Sequence, residues 1–222
     1  MLDPAEVGKK LRRDYSFGHK EQIDRALEAV LNVLEKARTV RSSNSELLRE
    51  AAKAIYHEFH IREVAIGLLD LDDGLYKYVA MYGMRPEVWG AHSNLTYTYD
   101  DFYDPARWKG TVISNYSKLL LAEDMPYTNG EEKTYDKQLM RKSRRRTETD
   151  SIEGDYMDIH IYGPDHALLG WIEVSGTWDA KIPDARTVRW LEVVASVIGL
   201  AVTSDSKAIK PGADKNSKAR KS

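Results

Sequence analysis

The sequence predicts an α+β domain built on an antiparallel sheet, with helices at both ends. Two strand pairs predict the sheet: residues 63–81 and 156–175 each hold branched or alternating apolar runs on either side of a tight turn. The helices are predicted by residues 23–59 and 183–202, where apolar side chains recur at steps of three and four. Helices kept apart from strands in this way belong to α+β layer architecture. At 222 residues, the chain has length for one domain of about 150 residues plus extensions.

Residues 1–20 mix charges with Gly8 and Gly18 and read as a flexible arm. Residues 21–41 form the first helix, in which Ile23, Leu27, Val30, Leu34 and Ala37 alternate steps of four and three. That spacing suits a coiled-coil seam or a helix packed on its own domain. Ser42, Ser43, Asn44 and Ser45 supply capping oxygens for a second helix near 45–60, with Leu47, Leu48, Ala51, Ala52, Ile55 and Phe59 on one face. The first strand pair turns at Asp72, Asp73 and Gly74, a strong hairpin signal.

Residues 82–127 are the least regular and are dense in aromatic side chains; Pro105 suggests a short helix there, and residues 111–121 a strand. Residues 128–155 are almost wholly polar and read as a long surface excursion, helical in part. In the second pair, Met157, Ile159 and Ile161 take one face, and Tyr156, Asp158, His160 and Tyr162 the other. Pro183 and Asp184 open a last helix whose wide apolar face carries Val188, Leu191, Val194, Ala195, Ile198, Ala201 and Val202.

Composition closes several routes. Without any cysteine, disulfides, thiolate metal sites and cysteine nucleophiles are all unavailable. The longest nearly uncharged stretch, 193–204, is about 12 residues against the roughly 20 needed to span a bilayer. No secretory apolar run opens the chain, so a cytoplasmic location without membrane association is expected. The net charge of -2 hides a basic stretch at 205–222, expected to be disordered, in which six basic residues face Asp205 and Asp214. An acidic body with a basic tail is not the basic folded face expected of a nucleic-acid-binding domain. The run at 141–146 holds five basic residues in six, able to grip phosphate or an acidic surface, but Glu148, Asp150 and Glu153 beside it suit a self-compensating loop.

The closing segments carry a family resemblance. LGWIEVSG at 169–176, then Trp178 to Glu192, then the apolar run 195–202 resemble the final strand, loop and helix of the GAF family. Residues 47–71 resemble its entry helix and first strand, and YVAMYG at 78–83 its second strand ending in glycine; VISNY at 112–116 resembles a short strand of microbial multi-sensor members. The resemblance spans 42–204, with 128–155 as an insertion or lengthened loop.

The resemblance to the GAF family implies helices on one sheet face and, on the other, a pocket roofed by the variable segments. Aromatic walls with a few polar groups suit a small-molecule site. The residues expected to line it are Tyr97, Tyr99, Phe102, Trp108 and Tyr116 from the roof, with Asp158, His160, Trp171 and Glu173 from the strands. A closed roof merely filled by these aromatics is the competing reading. The cofactor is not legible, though cysteine-linked bilin and the cysteine-dependent methionine-sulfoxide reductase chemistry of other members are excluded. His57 with His60, and His160 with Asp158, are too sparse for a metal site, and no catalytic constellation stands out. The expected function is a non-enzymatic sensor binding a small molecule noncovalently. No output domain follows in these residues, so the signal is expected to leave through a homodimer of terminal helices to a signalling partner, with Ile23, Leu27, Val30, Leu34, Leu191 and Ile198 at the interface. The alternative is a protein- or nucleic-acid-interaction module with a vestigial pocket, acting through its terminal helices and basic segments.

Overall fold

The computed structural model describes residues 22–39, 44–104, 109–125 and 130–205. The predicted arm, the basic tail beyond 205 and Trp108 lie outside the described residues. Helices α1 (Gln22–Thr39) and α2 (Asn44–Glu58) lead into the hairpin of β1 (Val64–Leu69) and β2 (Tyr76–Tyr82). There follow α3 (Pro86–His92), β3 (Thr96–Tyr97), α4 (Tyr99–Tyr103), β4 (Thr111–Val112) and β5 (Ser117–Leu120). After α5 (Lys137–Lys142), the strands β6 (Tyr156–Tyr162) and β7 (Leu168–Val174) form the second hairpin, and α6 (Ala185–Asp205) is the last described element. The seven strands make one antiparallel sheet in the order β3-β2-β1-β7-β6-β5-β4.

Local chemistry explains the predicted elements. Lys77 Nζ bridges Asp70 and Asp73 at 2.8 and 2.5 Å across the first turn, while Gly74 takes the positive φ that the turn demands. Asp184 Oδ1 accepts the Thr187 amide at 2.7 Å and caps α6. Where 111–121 predicts one strand, the chain folds back at Ile113, whose amide donates to Ser117 O, giving β4 and β5. Residues 112–116 are thus a strand end and a turn, because Ser114 Oγ accepts the amides of Tyr116 and Ser117.

One face of the sheet is dry. Ile66, Met157, Ile159, Ile161, Ile172 and Val174 pack against α2 and α6, and α1 lies over both helices. Burying each Leu or Ile side chain here contributes about 1.5–3 kcal/mol. This packing corrects the interface expectation: Val30 is 8% exposed and Leu191 and Ile198 are fully buried, so all three belong to the domain's own core. The inward stripe of α1 runs Ala26, Ala29, Val30 and Val33, where small alanines let the helices approach closely. Leu27 and Leu34 instead join Leu31 on the outer side, exposed by 46, 36 and 45%. The side chain of Ile23 is outside the described set.

The polar excursion is not wholly a surface loop. Glu131, Ser151 and Asp155 are buried, and the segment folds back over the second face of the sheet.

Candidate functional site

A bulge at Ile66 and Gly67 pairs Ile66 with Ala80 but Gly67 with Tyr78, leaving Val79 as the extra residue. The bulge puts Tyr76 and Tyr78 on the face away from the terminal helices, beside Ala65 and Trp171. The Trp171 indole lies over Gly67, where a Cβ would meet its ring at 2.1 Å, so only glycine fits beneath it. Around that indole stand Tyr78 at 4.8 Å, Phe102 at 5.1 Å and Tyr97 at 5.7 Å between ring centroids, the spacing of edge-on and tilted aromatic packing.

Above this floor, α3, the β3–α4 segment and residues 131–156 enclose two chambers that share the walls Tyr78, Tyr97, Tyr156 and Glu173. Their enclosed space is small, about 60 and 30 Å³, and each opens into a wider volume of about 680 and 400 Å³ once the adjoining solvent is included. The larger is lined also by Arg62, Glu63, His92, Glu131 and Tyr135; the smaller by Asp101, Phe102, Lys118, Asp158, His160 and Trp171. The roof is tied down where Arg145 Nη2 meets Asp155 Oδ1 and Glu123 Oε2, each at 2.9 Å. Asp155 is itself buried and also accepts the amides of Ala122 and Ile152. One member of the basic run is therefore a structural anchor; Arg141, Lys142, Arg144 and Arg146 remain exposed.

Charge is distributed unevenly on these walls. Glu173 takes the Tyr78 hydroxyl on Oε2 at 2.6 Å, and its Oε1 faces His92 Nε2 at 3.4 Å. His92 Nδ1 lies 2.9 Å from Val88 O, so satisfying both contacts needs an imidazolium. Burial pulls the His92 pKa down, but the hydrogen bond and charge of Glu173 outweigh it and the pKa is raised. Asp158 stands between Lys118 on β5 and Glu173 on β7, in direct register with both. Burial first, and then repulsion from Glu173, push its carboxyl well above the carboxylate range, with Lys118 opposing. Its Oδ1 is buried without a hydrogen-bond partner, as is Arg62 Nε in the larger chamber's wall. Each such orphan costs about 1–3 kcal/mol. Burial, reinforced by Lys118, lowers His160 to about 4, so at neutral pH it is an uncharged hydrogen-bonding group, with Nδ1 3.0 Å from the Tyr162 hydroxyl. Glu63 is raised by burial and by Glu153.

No family model and no curated protein matches the chain. Solved structures do. The free methionine-R-sulfoxide reductase of Neisseria meningitidis, in complex with its substrate, superposes with a TM-score of 0.56 at 9% identity, covering 87% of this chain and 97% of that one. The GAF domain of a phosphoenolpyruvate-protein phosphotransferase from Coxiella burnetii gives 0.55 at 10% identity, covering 83 and 96%. A bacteriophytochrome from the photosynthetic bacterium R. palustris gives 0.53 at 11% identity over 86% of this chain and 39% of that one. The chain has the GAF fold. A phosphotransferase's domain, a bacteriophytochrome and a reductase share it, so the fold alone assigns no role.

Within this GAF fold, Tyr97, Phe102, Asp158, His160, Trp171 and Glu173 come together in the smaller chamber. Two predicted residues do not join them. Tyr99 is 54% exposed and packs on Tyr103 outside the roof, and Tyr116 packs against Tyr162 in a separate shallow cleft. Aromatic density marked that region but carries no direction. Sequence reasoning missed Tyr78, His92, Lys118 and Tyr156. Alternation could have found Tyr78, two residues from Tyr76, and Tyr156, two from Asp158; His92 and Lys118 depend on packing that no local pattern shows. His57 lies 3.3 Å from the Tyr82 hydroxyl and His60 stacks on Trp178, away from both chambers. Among the described residues, no group of three His, Asp or Glu side chains could hold a metal ion, and no helix is long and apolar enough to cross a membrane. With no cysteine in the sequence, bilin attachment through cysteine is not available to this GAF fold.

Proposed function

We propose that this chain is a non-enzymatic sensor that binds a small molecule noncovalently between the sheet and its roof, and relays occupancy through its terminal helices. The observation that carries the reading is the pair of adjoining chambers, whose shared walls are mostly aromatic and whose buried polar atoms Asp158 Oδ1 and Arg62 Nε lack hydrogen-bond partners among the described residues. Orphaned polar atoms beside a concave aromatic wall are what a specific ligand satisfies. Sensory company supports it too: a phytochrome and a phosphotransferase regulatory domain are among the chains of this fold. A thermal-shift screen with nucleotides, tetrapyrroles and common metabolites tests the reading. A ligand at a hundredfold its Kd stabilises the fold by about 2.7 kcal/mol, and a screen without any shift contradicts it.

The relay is drawn through a homodimer. Support comes from the outward stripe Leu27, Leu31 and Leu34 on α1, with Val193 and Leu200 on α6. These apolar side chains stand on the two helices that pack on each other, and a shared four-helix bundle would cover them. The double variant Leu27→Asp, Leu34→Asp is expected to be monomeric in light scattering; an unchanged dimer removes this interface.

A further inference from the structure

The smaller chamber has a chemistry of its own, and the inference from it rests on the ligand-binding reading above. Across three neighbouring strands, Lys118, Asp158 and Glu173 stand directly opposite one another on the chamber side of the sheet. Side chains in such register lie about 5 Å apart at Cβ, so two acids and one lysine share a single patch. Lys118 nonetheless leaves Asp158 Oδ1 without a partner. Glu173 is already engaged, one oxygen by the Tyr78 hydroxyl and the other by His92. Asp158 is therefore the acid left over, and Trp171 and Phe102, 5.1 Å apart, supply flat walls beside it. An aromatic wall attracts a cation through its ring quadrupole, most strongly where water is excluded.

We propose that the smaller chamber takes the cationic nitrogen of an organic amine or amidine, with Asp158 as its counter-charge and Trp171 and Phe102 as its walls. An anion would be repelled by the ionised Asp158 carboxylate, and a neutral nitrogen would gain no charge pairing from it. Arg62 lines only the larger chamber; Lys118 lines the smaller one, so a ligand cation has to compete with its ammonium for Asp158.

The binding has a predicted pH signature. The titratable groups sharing the chamber with Asp158 are Lys118 from β5, Glu173 from β7, Tyr78 from β2, Tyr97 from β3, Asp101 from α4, and Tyr156 and His160 on its own strand. His160 is held uncharged down to about 4 and burial disfavours the ionised Asp158 carboxyl, so Asp158 is the acid whose proton must leave when a cation pairs with it. Affinity for a cation then rises with pH, and binding releases protons.

Isothermal titration with benzamidine, against its neutral and anionic relatives benzamide and benzoate, tests the proposal. Benzamidine is expected to bind at least about tenfold tighter than either, with affinity climbing as pH rises. In Asp158→Asn, whose folding is checked by its unfolding midpoint, benzamidine weakens by about tenfold or more while benzamide is unmoved. Benzoate or benzamide binding as well as benzamidine overturns the cation assignment while leaving the ligand site standing. Undiminished benzamidine binding by Asp158→Asn, or no binding of any probe to the native chain, also overturns it; the ligand reading itself is judged by the wider screen.

Discussion

The two faces of one sheet are built from the same strands to opposite ends. On the helix side, β6 presents Met157, Ile159 and Ile161, all within 2% of complete burial. On the roof side the same strand presents Tyr156, Asp158 and His160 to a solvent-connected space. The first face satisfies only packing and can be filled by any well-fitting apolar set. The second carries unpaired polar atoms, a displaced carboxyl pKa and a depressed imidazole, each a cost to folding that a purely structural face would not hold. One side of the sheet is apolar packing throughout; the other joins a buried aromatic cluster to unpaired polar groups.

Substitutions can break or sharpen that division. The largest loss should come from the helix face: Leu191→Ala opens a cavity in a fully buried position and should cost about 2–5 kcal/mol in denaturant unfolding. A smaller, pH-selective effect belongs to His160. Its folded pKa of about 4 lies below the ordinary 6.5, so the unfolded chain binds a proton first, and stability that is complete above about 6.5 declines as pH falls towards 4. Its share is on the order of 3 kcal/mol at most. His160→Gln should remove it, seen as a flatter difference curve of unfolding free energy against pH. An equal pH slope in the variant would mean that burial does not govern this imidazole.

Next comes the roof. Arg145→Met leaves Asp155 without its cation and should cost about 1–3 kcal/mol, with faster limited proteolysis inside 131–155 than anywhere on the helix face. Equal protection in both regions would show that the roof does not depend on this anchor. The smallest change in monomer stability is expected at Leu31→Asp, on the 45% exposed outer side of α1, where surface substitutions stay within about 0.5 kcal/mol. Its readout is assembly: light scattering should report weaker dimerisation with the unfolding midpoint nearly unmoved.

The helix face was the more legible of the two in sequence, because its signals are local. Alternation gave both hairpins, the Asp72–Gly74 turn announced itself, and the wide stripe of α6 marked the residues that are buried. The first helix was misread because its inward stripe is carried by Ala26 and Ala29, whose small side chains weigh little in a hydrophobic pattern. On the roof side, Asp158, His160 and Glu173 were legible from period-two alternation in their strands. His92 and Lys118 were not, since they reach the chambers only through the packing of α3 and the pairing of β5 with β6. The burial of Glu131 and Asp155 inside a polar stretch was equally hidden, because Asp155 is compensated by Arg145, ten residues away.

Native mass spectrometry of the protein purified from its own source tests the central claim most directly, that the roofed face is a ligand site and the helix face a scaffold. The account predicts a dimer mass carrying a retained small molecule that leaves on collisional activation without loss of fold. A bare chain, with no added mass under any gentle condition, would contradict it.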